Sequence, residues 1–519
     1  MCCRISGTVG YPPSVVGKMV LHQKPGGPDF INWQQVSINP FNVVFGHNRL
    51  SIIDLSSSGN QPMSSDRYTI TYNGEIYNYK ELGSESSDTR VLLSYIGRYG
   101  IEKALNDING MFAFGLFDSH KNEITLAVDR FGQKPIYYYH SGNKFAFASS
   151  PGALYALQDK WGLDRDALQS YWLLGSTMGD NGLFKGIKKL TGSHYLIYNL
   201  HTNQITIKKY WEPKFQENTN GIEDLVLDAI QKVKVSDVPI HIFLSGGIDS
   251  TLVASQFQGG EAIHLDGPEQ SYARRASIKF NINLKVINPE FDTEDCLKDF
   301  AFQSGEPSMA ALIPYVTSRE TAKYGKVSIS ANGADELFFG YDRTTESNSI
   351  AQMKHVFRFD FLKNAGFKWD YDINNMLAKG RWFELNTYVQ FDLNKTLDFA
   401  SMCHGLEVRS PFLDHRLVEM ALSIPEKQHR NPKNKTILKN MLRKFHFDNA
   451  FIERPKLGFS LHNKPKNMPE LIKKALDFVK NEGFLVCDDR KLNARDKSYL
   501  GISALSFYYW HETWKHKIA

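Results

Sequence analysis

Cysteine is scarce in this chain, and the protein classes that depend on it are excluded first. The 519 residues include five cysteines, an odd number and too low a density for the disulfide framework of a small secreted protein. The CxxC pairs that a zinc ribbon needs are also lacking. We therefore predict a reducing, cytoplasmic compartment. Two of the five thiols, Cys2 and Cys3, stand together at the start of the sequence.

Long apolar runs and an excess of charge of one sign are missing as well. No apolar stretch approaches the roughly 18 residues that a membrane span needs, and Met1–Arg4 does not resemble a secretory signal. The 61 basic and 56 acidic residues leave a net charge of +5, which over this length predicts no nucleic-acid or membrane partner. With 42% hydrophobic and 23% charged residues, we expect a globular protein of about two to four domains.

The first part of the chain has the pattern of a β-rich domain. Short aromatic and β-branched runs, separated by turn residues, are typical of antiparallel sheets. Apolar residues at helical spacing over 89–99 predict at least one helix among them. The predicted strands lie at 43–47, 68–72, 111–117, 123–128, 136–139 and 144–148.

The second part has the pattern of an α/β domain with a parallel sheet. A helical stretch over 222–233 leads into an apolar strand over 238–244, and strand-then-helix alternation recurs at 326–330. Between the two parts the sequence is polar, contains Pro and Gly, and lacks periodicity, as in a linker. We therefore predict an N-terminal domain over 1–211, a linker over 212–221 and a C-terminal domain over 222–519.

A glycine-rich loop, Ser245–Ser250, directly follows the predicted strand over 238–244. Its adjacent glycines let the backbone approach a polyanion, and a helix predicted to begin near Thr251 would offer its N-terminal N–H groups. No lysine follows the glycines, so the loop is not a Walker-type phosphate loop. A plain turn, with Asp249 or Ser250 as the helix cap, is the alternative.

A second acidic segment supports phosphate binding. Ser330–Glu336 also follows a predicted strand and leads into an apolar run. Asp249 and Asp335 would lie at the carboxyl ends of separate parallel strands, where two carboxylates can hold Mg²⁺ against triphosphate oxygens. The alternative is that Asp335 and Glu336 are ordinary acidic residues of a helix N-terminus. Taken together, the two segments predict an ATP site.

A thiol at position 2 becomes the first residue once Met1 is removed. Its own α-amino group, with a pKa of about 8, could then serve as its general base. N-terminal nucleophile hydrolases cleave amides in this way, through an acyl-enzyme.

Residues farther along the chain are suited to bind a free amino acid near that thiol. The Asn73 amide and the Gly74 N–H could form an oxyanion hole, although Asn-Gly is also the commonest hairpin turn. Arg49 offers a bidentate partner for a carboxylate, and Glu75 and Asp88 could hold an ammonium group. The three charged residues together predict an amino-acid pocket.

These motifs resemble those of the glutamine-hydrolysing asparagine synthetase family over nearly the whole chain. The resembling segments are 49–55, 59–63, 72–78, 87–89 and 129–135 in the first half, and 245–250, 333–341, 405–414, 435–439 and 454–459 in the second. The resemblance implies a fold of α+β and α/β type in two domains. The first is an N-terminal nucleophile hydrolase αββα sandwich, and the second is a parallel-sheet domain of the ATP-pyrophosphatase type.

The resemblance also implies a glutaminase site. The N-terminal Cys attacks the glutamine side-chain amide and releases ammonia, while Asn73 and Gly74 hold the oxyanion. Arg49 binds the glutamine carboxylate, and Glu75 and Asp88, together with Asn73, bind the rest of the amino acid.

The second implied site adenylates a carboxylate with ATP, after which ammonia from an internal tunnel displaces AMP. Asp249 and Asp335 match the Mg²⁺ ligands, and Lys435 matches a lysine that neutralises developing charge. The residues implied to bind ATP are Leu244, Ser245, Gly246, Gly247, Asp249, Ser250, Ile263, Ser330, Ala331 and Gly333. The expected partners are small molecules, namely glutamine, ATP and an acceptor that is aspartate by default, together with a second copy in a homodimer.

The start of the chain departs from the family, which has a single Cys where this sequence has Cys2 and Cys3. Motif alignment favours Cys3, whereas the need for a free α-amine favours Cys2 after removal of Met1. We predict Cys2 as the nucleophile.

Two further departures concern the acceptor. Asn332 stands where the family has a glutamate or aspartate and the related β-lactam synthetases have a tyrosine, and Asn can act neither as a base nor as an anionic ligand. Phe399 follows Asp398 where the family has a cation. Both favour an alternative acceptor, such as a sugar acid of polysaccharide assembly or a natural-product intermediate. A catalytically impaired nucleotide-binding relative is a second alternative.

We expect Glu407 and Arg409 to form a structural buried pair.

Overall fold

The structure of the protein is a computed structural model that describes residues 3–37, 40–216, 219–341, 376–425, 428–429, 434–455, 467–485 and 494–519. Its described strands, β1 to β17 in chain order, are Cys3–Val9, Phe30–Ser37, Val43–Arg49, Met63–Ser64, Tyr68–Ile76, Gly110–Asp118, Glu123–Val128, Tyr137–Ser141, Lys144–Ala148, Ile187–Lys189, His194–Asn199, Gln204–Lys209, Ile240–Phe243, Glu261–Leu265, Asn283–Ile287, Val327–Ile329 and Glu407–Arg409.

The described α-helices, α1 to α19 in chain order, are Pro13–His22, Tyr79–Leu82, Asp88–Tyr99, Ile101–Asp107, Pro151–Leu154, Arg165–Leu174, Ile222–Lys232, Ile248–Ala254, Gln270–Lys279, Thr293–Ser304, Leu312–Ala322, Ala334–Leu337, Met376–Glu384, Lys395–Met402, His415–Ser423, Thr436–Lys444, Asn449–Ile452, Met468–Asn481 and Ala494–Trp514. A π-helix spans Leu385–Asn394, and 3₁₀ turns span Lys24–Gly26, Ser57–Gly59, Tyr155–Leu157, Pro411–Leu413 and Lys515–Lys517. No helix in these ranges is both long enough and apolar enough to cross a membrane.

Two six-stranded antiparallel sheets face each other in the N-terminal half. Their strand orders are β10-β8-β9-β1-β3-β2 and β12-β11-β7-β6-β5-β4. Strand β6 shows the two-residue period of a strand buried on both faces: Ala113 and Phe117 pack between the sheets, whereas Phe112 and Phe114 pack toward the helices. Because α1 covers the first sheet and α3 the second, the layers are α, β, β and α. The predicted antiparallel sandwich is confirmed.

A five-stranded parallel sheet forms the core of the C-terminal half, which confirms the predicted α/β fold. Its order is β15-β14-β13-β16-β17. The chain leaves β13 toward β14 on one side and later returns to β16 on the other. Ligands of such sheets bind in the crevice beyond the carboxyl ends of the strands at this reversal. The crevice lies beyond β13 and β16.

The helix after the glycine-rich loop begins earlier than expected. It starts at Ile248 rather than near Thr251, because Gly247 already has the extended backbone of an N-cap, with φ −67° and ψ 167°. Asp249 and Ser250 therefore lie in the first helical turn. Residues 210–216 and 219–221, around the predicted linker, form neither helix nor strand.

Candidate active sites

Strand β1 brings Cys3 to the centre of the predicted glutamine pocket. Cys3 pairs across the sheet with Arg49, and its backbone N–H donates to Asn73 Oδ1 at 2.9 Å. The thiol is fully buried, and this burial raises the pKa of Cys3 to about 12. Cys2, the predicted nucleophile, lies outside the described residues.

Asn73 and Gly74 lie within strand β5 and pair with Ala113 and Phe112 of β6. They do not form the hairpin turn that was the alternative. Gly74 has a φ of +139°, and a Cβ at this position would lie 2.0 Å from the Met111 carbonyl oxygen. Only glycine therefore fits at this position of β5, next to Asn73, without displacing the neighbouring strand.

We expect Gly74→Ala to destabilise the N-terminal half by about 3 kcal/mol or more, because the new methyl group is strained and also overlaps backbone. Gly97→Ala is the matched control, since Gly97 lies on the exposed side of α3 with open space around its Cβ position. Thermal unfolding should show a lower midpoint for Gly74→Ala and an equal or higher one for Gly97→Ala. Equal midpoints would show that β5 tolerates a side chain here.

Arg49 closes a loop over the same pocket. Its guanidinium donates to the Ser56 carbonyl oxygen and to Asn60 Oδ1, each at 2.7 Å, and to the Asp54 carbonyl oxygen. The side chain is 2% exposed. The predicted carboxylate-binding residue thus holds residues 54–60 next to Cys3.

Glu75 lies two residues beyond Asn73 in β5, and Asp88 contacts the same strand. Ser87 caps α3 and fixes Asp88 in its first turn, where Asp88 Oδ2 accepts from Tyr72 Oη at 3.0 Å and from the Ile76 N–H at 3.2 Å. Burial raises the pKa of Glu75 to about 8. The structure therefore brings together the residues predicted to bind glutamine.

Glu75 also contacts the C-terminal half directly. Its Oε1 lies 3.6 Å from Arg409 Nη2, and Arg409 Nε lies 2.5 Å from Glu407 Oε1. Both Glu407 and Arg409 are fully buried, so the predicted buried pair is confirmed. The Arg409 carbonyl oxygen accepts from the Ser330 N–H at 2.8 Å. Strand β17 thus contacts both predicted sites.

A cavity of about 460 Å³ occupies the crevice beyond β13 and β16. Among the residues predicted to bind ATP, those that line it are Ser245, Gly247, Asp249, Ser250, Ser330 and Ala331. The further described lining residues are Phe243, Ile248, Glu269, Ile313, Pro314, Thr317, Asn332, Asp335, Gly340, Leu397, Asn434, Lys435, Lys439, Phe451, Ile452 and Arg454.

Four residues predicted to bind ATP support the loops and do not line the described cavity. Leu244 and Ile263 are buried, and the Leu244 N–H donates to the Ile263 carbonyl oxygen at 3.0 Å. Gly246 and Gly333 have φ values of +88° and +93°, and a Cβ at Gly246 would lie 2.5 Å from the Ala273 nitrogen.

Lys435 joins the two predicted metal ligands. Its Nζ lies 2.6 Å from Asp249 Oδ2 and 2.5 Å from Asp335 Oδ1. Burial opposes its charge, yet its pKa is raised because both carboxylates stabilise the ammonium. Carboxylates that follow different strands therefore converge on one cation inside the cavity.

Asp398 connects the two halves of the chain through buried charges. Arg4 Nη1 lies 2.6 Å from Asp398 Oδ2, and Lys134 Nζ lies 2.8 Å from Asp398 Oδ1. Burial opposes the carboxylate charge, but the two cations hold the pKa of Asp398 below its usual range. Arg4 immediately follows Cys3, so this ion pair is adjacent in sequence to the glutamine pocket.

Phe399 does not border the described cavity, which corrects the expectation that it stands beside the acceptor. It is 2% exposed and packs on Tyr137, with ring centroids 6.3 Å apart. Leu397 lines the cavity instead. The Arg4 guanidinium lies 5.7 Å from the Phe399 ring, so a cation from the other half of the chain is present here.

Comparison with known proteins matches both halves of the chain. Residues 1–211 match the family model of a glutamine amidotransferase domain, and residues 221–499 match that of asparagine synthase. The chain belongs to the glutamine-hydrolysing asparagine synthetase family. It is therefore a ligase of the asparagine synthetase type, and the family uses ATP as co-substrate.

Two relatives from Bacillus subtilis (strain 168) illustrate the similarity. Asparagine synthetase (glutamine-hydrolyzing) 3 is 31% identical over an alignment of 527 positions, gaps included, and the alignment spans 85% of this chain and 84% of that protein. Asparagine synthetase (glutamine-hydrolyzing) 1 is 26% identical over an alignment of 600 positions, gaps included, and the alignment spans 96% of this chain and 92% of that protein.

Sequence reasoning missed several residues of this family member's cavity. Arg454 Nη2 donates to the Gly246 carbonyl oxygen at 2.7 Å, its guanidinium lies 3.8 Å from the centroid of the Tyr272 ring, and it pairs with Glu269. Arg454 belongs to a motif of the family resemblance, so a signal existed without an assigned role. Leu397 gave no signal in the sequence.

We expect Asp398→Ala to cost about 3–5 kcal/mol of stability, because it leaves Arg4 and Lys134 buried without their carboxylate. Thermal unfolding should show a lower midpoint, while Asp477→Ala, at an exposed position of α18, should leave the midpoint unchanged. An unchanged midpoint in Asp398→Ala would show that the packing of the two halves of the chain does not depend on the ion pairs of Asp398 with Arg4 and Lys134.

Proposed function

We propose that the protein hydrolyses glutamine in residues 1–211 and uses the ammonia to amidate an ATP-activated carboxylate in residues 222–519. The observation that carries this proposal is the convergence of Asp249, Asp335 and Lys435 in a cavity beyond β13 and β16. A glycine-rich loop at this edge of the sheet, with one cation and two carboxylates in the cavity beside it, suits a nucleoside triphosphate.

In the glutaminase reaction, the thiol sulfur attacks the amide carbon of glutamine. Ammonia leaves with the proton that the thiol gave up, and water then hydrolyses the thioester to glutamate and the free thiol. Asn73 and the Gly74 N–H stabilise the oxyanion. The need for a free α-amine supports Cys2 as the nucleophile, whereas the bond from the Cys3 N–H to Asn73 supports Cys3.

In the synthetase reaction, a carboxylate oxygen attacks the α-phosphorus of ATP and pyrophosphate leaves. Ammonia then attacks the acyl carbon, AMP leaves, and the nitrogen gives up a proton. The Ser245–Ser250 loop holds the phosphates, and Lys435 offsets the negative charge that develops on them.

Magnesium fits the same site, and we propose Asp249 and Asp335 as its ligands. Their oxygens approach one point closely enough to contact a single ammonium group at 2.6 and 2.5 Å. Two carboxylates with phosphate oxygens form the donor set that Mg²⁺ prefers. The bound ion would screen the charge of the triphosphate.

Aspartate is the acceptor suggested by the relatives' names, and another carboxylate is the second candidate. The second is favoured by Asn332, a neutral amide in the cavity wall. Homodimer formation and a cytoplasmic location stay predictions.

The proposal is tested with the purified full-length protein, glutamine, MgATP and either aspartate or a panel of other carboxylates. We expect glutamate, AMP and pyrophosphate in equal amounts when the right acceptor is present. Glutamate without pyrophosphate in every arm would contradict the synthetase assignment. Neither product in any arm would indicate the catalytically impaired relative.

A further inference from the structure

The glycine-rich loop lies against α9 at Gly246. This residue has a φ of +88°, which favours glycine, and a Cβ there would lie 2.5 Å from the backbone nitrogen of Ala273 in α9. Ser245 and Gly247, on either side of Gly246, line the cavity, whereas Gly246 does not line its described part. Gly246 is therefore the point at which the loop meets the body of the C-terminal half.

Arg454 binds the loop at the same point. Its side chain lines the cavity, and its Nη2 donates to the Gly246 carbonyl oxygen at 2.7 Å. The peptide between Gly246 and Gly247 is trans, so its carbonyl oxygen and its N–H point in opposite directions. By fixing the Gly246 carbonyl group, Arg454 therefore also fixes the direction of the Gly247 N–H, which donates to Ser245 Oγ at 3.2 Å.

Three side chains hold Arg454 in turn. Its Nη1 pairs with Glu269 Oε1, and the two side chains are only 11% and 9% exposed, so solvent screens this pair little. The guanidinium lies 3.8 Å from the centroid of the Tyr272 ring and 5.7 Å from that of Phe451. Charge-assisted hydrogen bonds and ring faces both restrict the orientation of a guanidinium. Arg454 is thus fixed between the start of α9 and α17.

A cation beside a phosphate-binding loop can act in two ways. If it binds the phosphates as a charge, Glu269 competes with them for it. If it holds the loop, Glu269 assists it by fixing the guanidinium. The geometry favours the second role, because Nη1 binds Glu269 and Nη2 binds the loop carbonyl at the same time.

We propose that Arg454 is a positioning residue, which holds the Ser245–Ser250 loop in its phosphate-binding shape and is itself held by Glu269. This inference rests on the proposed function, in which the triphosphate of ATP binds that loop. Without Arg454, the Gly246 carbonyl group loses this donor, and a glycine backbone is free to rotate. The loop must then be ordered again whenever phosphates bind, which lowers their affinity.

The test measures equilibrium binding of MgATP, magnesium pyrophosphate and AMP to the full-length protein by calorimetry, so that no acceptor is required. Arg454→Met keeps much of the hydrocarbon and removes the guanidinium. We expect it to raise Kd for MgATP and for magnesium pyrophosphate about tenfold or more. For AMP, which brings a single phosphate to the loop, we expect a rise of less than about twofold. An equal loss for all three ligands would show that Arg454 supports the whole cavity, and would overturn the proposal.

Arg454→Lys and Glu269→Gln separate loop positioning from direct charge binding, and they also serve if Arg454→Met does not fold. Lysine keeps the charge but lacks the planar fork that binds two partners at once, so we expect it to weaken MgATP nearly as much as methionine does. We expect Glu269→Gln to weaken MgATP about threefold or more, although it removes a negative charge from the cavity. Unchanged MgATP binding in Arg454→Lys, or tighter binding in Glu269→Gln, would overturn the proposal in favour of a direct phosphate contact.

Arg275→Met is the matched control. Arg275 lies on α9, 5.3 Å from the centroid of the Phe451 ring, and pairs with Asp448, but its side chain is 44% exposed and does not line the described cavity. We expect unchanged Kd values for all three ligands.

The same measurements distinguish failure of this inference from failure of the proposed function. Unchanged MgATP binding in Arg454→Met, in a protein that releases pyrophosphate, would overturn the role of Arg454 alone. If the unmodified protein binds MgATP but releases no pyrophosphate with any acceptor, the synthetase assignment fails, while the binding comparison still decides the role of Arg454. No binding of MgATP by the unmodified protein would overturn both.

Discussion

Asp249→Ala should abolish pyrophosphate release and leave glutamine hydrolysis in place, with a loss in ATP-dependent turnover of about 10³-fold or more. Asp249 lines the cavity in the first turn of α8 and contacts Lys435. Its removal takes away a ligand for magnesium and also leaves the Lys435 ammonium with one carboxylate fewer. The glutamine pocket contains no part of this arrangement, because its residues lie on β1, β3, β5 and α3.

The measurement compares glutamate and pyrophosphate production by the same preparation. Asp335→Ala should behave in the same way, since Asp335 is the second carboxylate on Lys435. Asp477→Ala removes a carboxylate at an exposed position of the same half and should retain both products. Equal loss of both products in Asp249→Ala, in a protein with an unchanged thermal midpoint, would contradict the two-site assignment.

Cys2→Ala should remove glutamine-dependent turnover by about 10³-fold or more while ammonia-dependent turnover persists. The thiol forms and breaks the bond to the glutamine amide carbon, so no other group can replace it, whereas added ammonia bypasses the step. Glutaminase and synthetase rates are measured with glutamine and with ammonium chloride as alternative nitrogen sources.

Cys3→Ala is the matched partner of that variant. If Cys3→Ala loses glutaminase activity and Cys2→Ala keeps it, the nucleophile is Cys3, as its contact with Asn73 suggests. Mass spectrometry of the protein after reaction with a glutamine analogue would locate the adduct on one of the two sulfurs and show whether Met1 has been removed. Adduct formation at neither sulfur would refute a terminal thiol nucleophile.

Local pattern predicted most of the fold. Strands β7 and β9 coincide with the apolar runs at 123–128 and 144–148, and α3 begins within one residue of the predicted helix. These elements are encoded by periodicity over a few residues, which requires no knowledge of distant contacts. The start of α8 was missed because Gly247 adopts an N-cap conformation that the sequence pattern does not specify.

The glycine-rich loop, the two carboxylates and Lys435 were also available from the sequence, because each lies in a short motif whose residue types have a direct chemical reason. The sequence by itself thus determined the family, the two-part fold and the kind of chemistry. It left the partners of Asp398 open and led to the wrong expectation that Phe399 stands beside the acceptor, since neither residue has a local pattern that shows what it contacts.

Only the tertiary structure decided which residues meet between the two halves. Asp398 pairs with Arg4 across 394 positions of sequence, and Glu75 meets Arg409 from another sheet. The same packing moves Phe399 into a core and places Leu397 in the cavity wall. Such contacts depend on how whole sheets and helices pack, and a side chain's partner there is set by the fold around it and not by its neighbours in sequence.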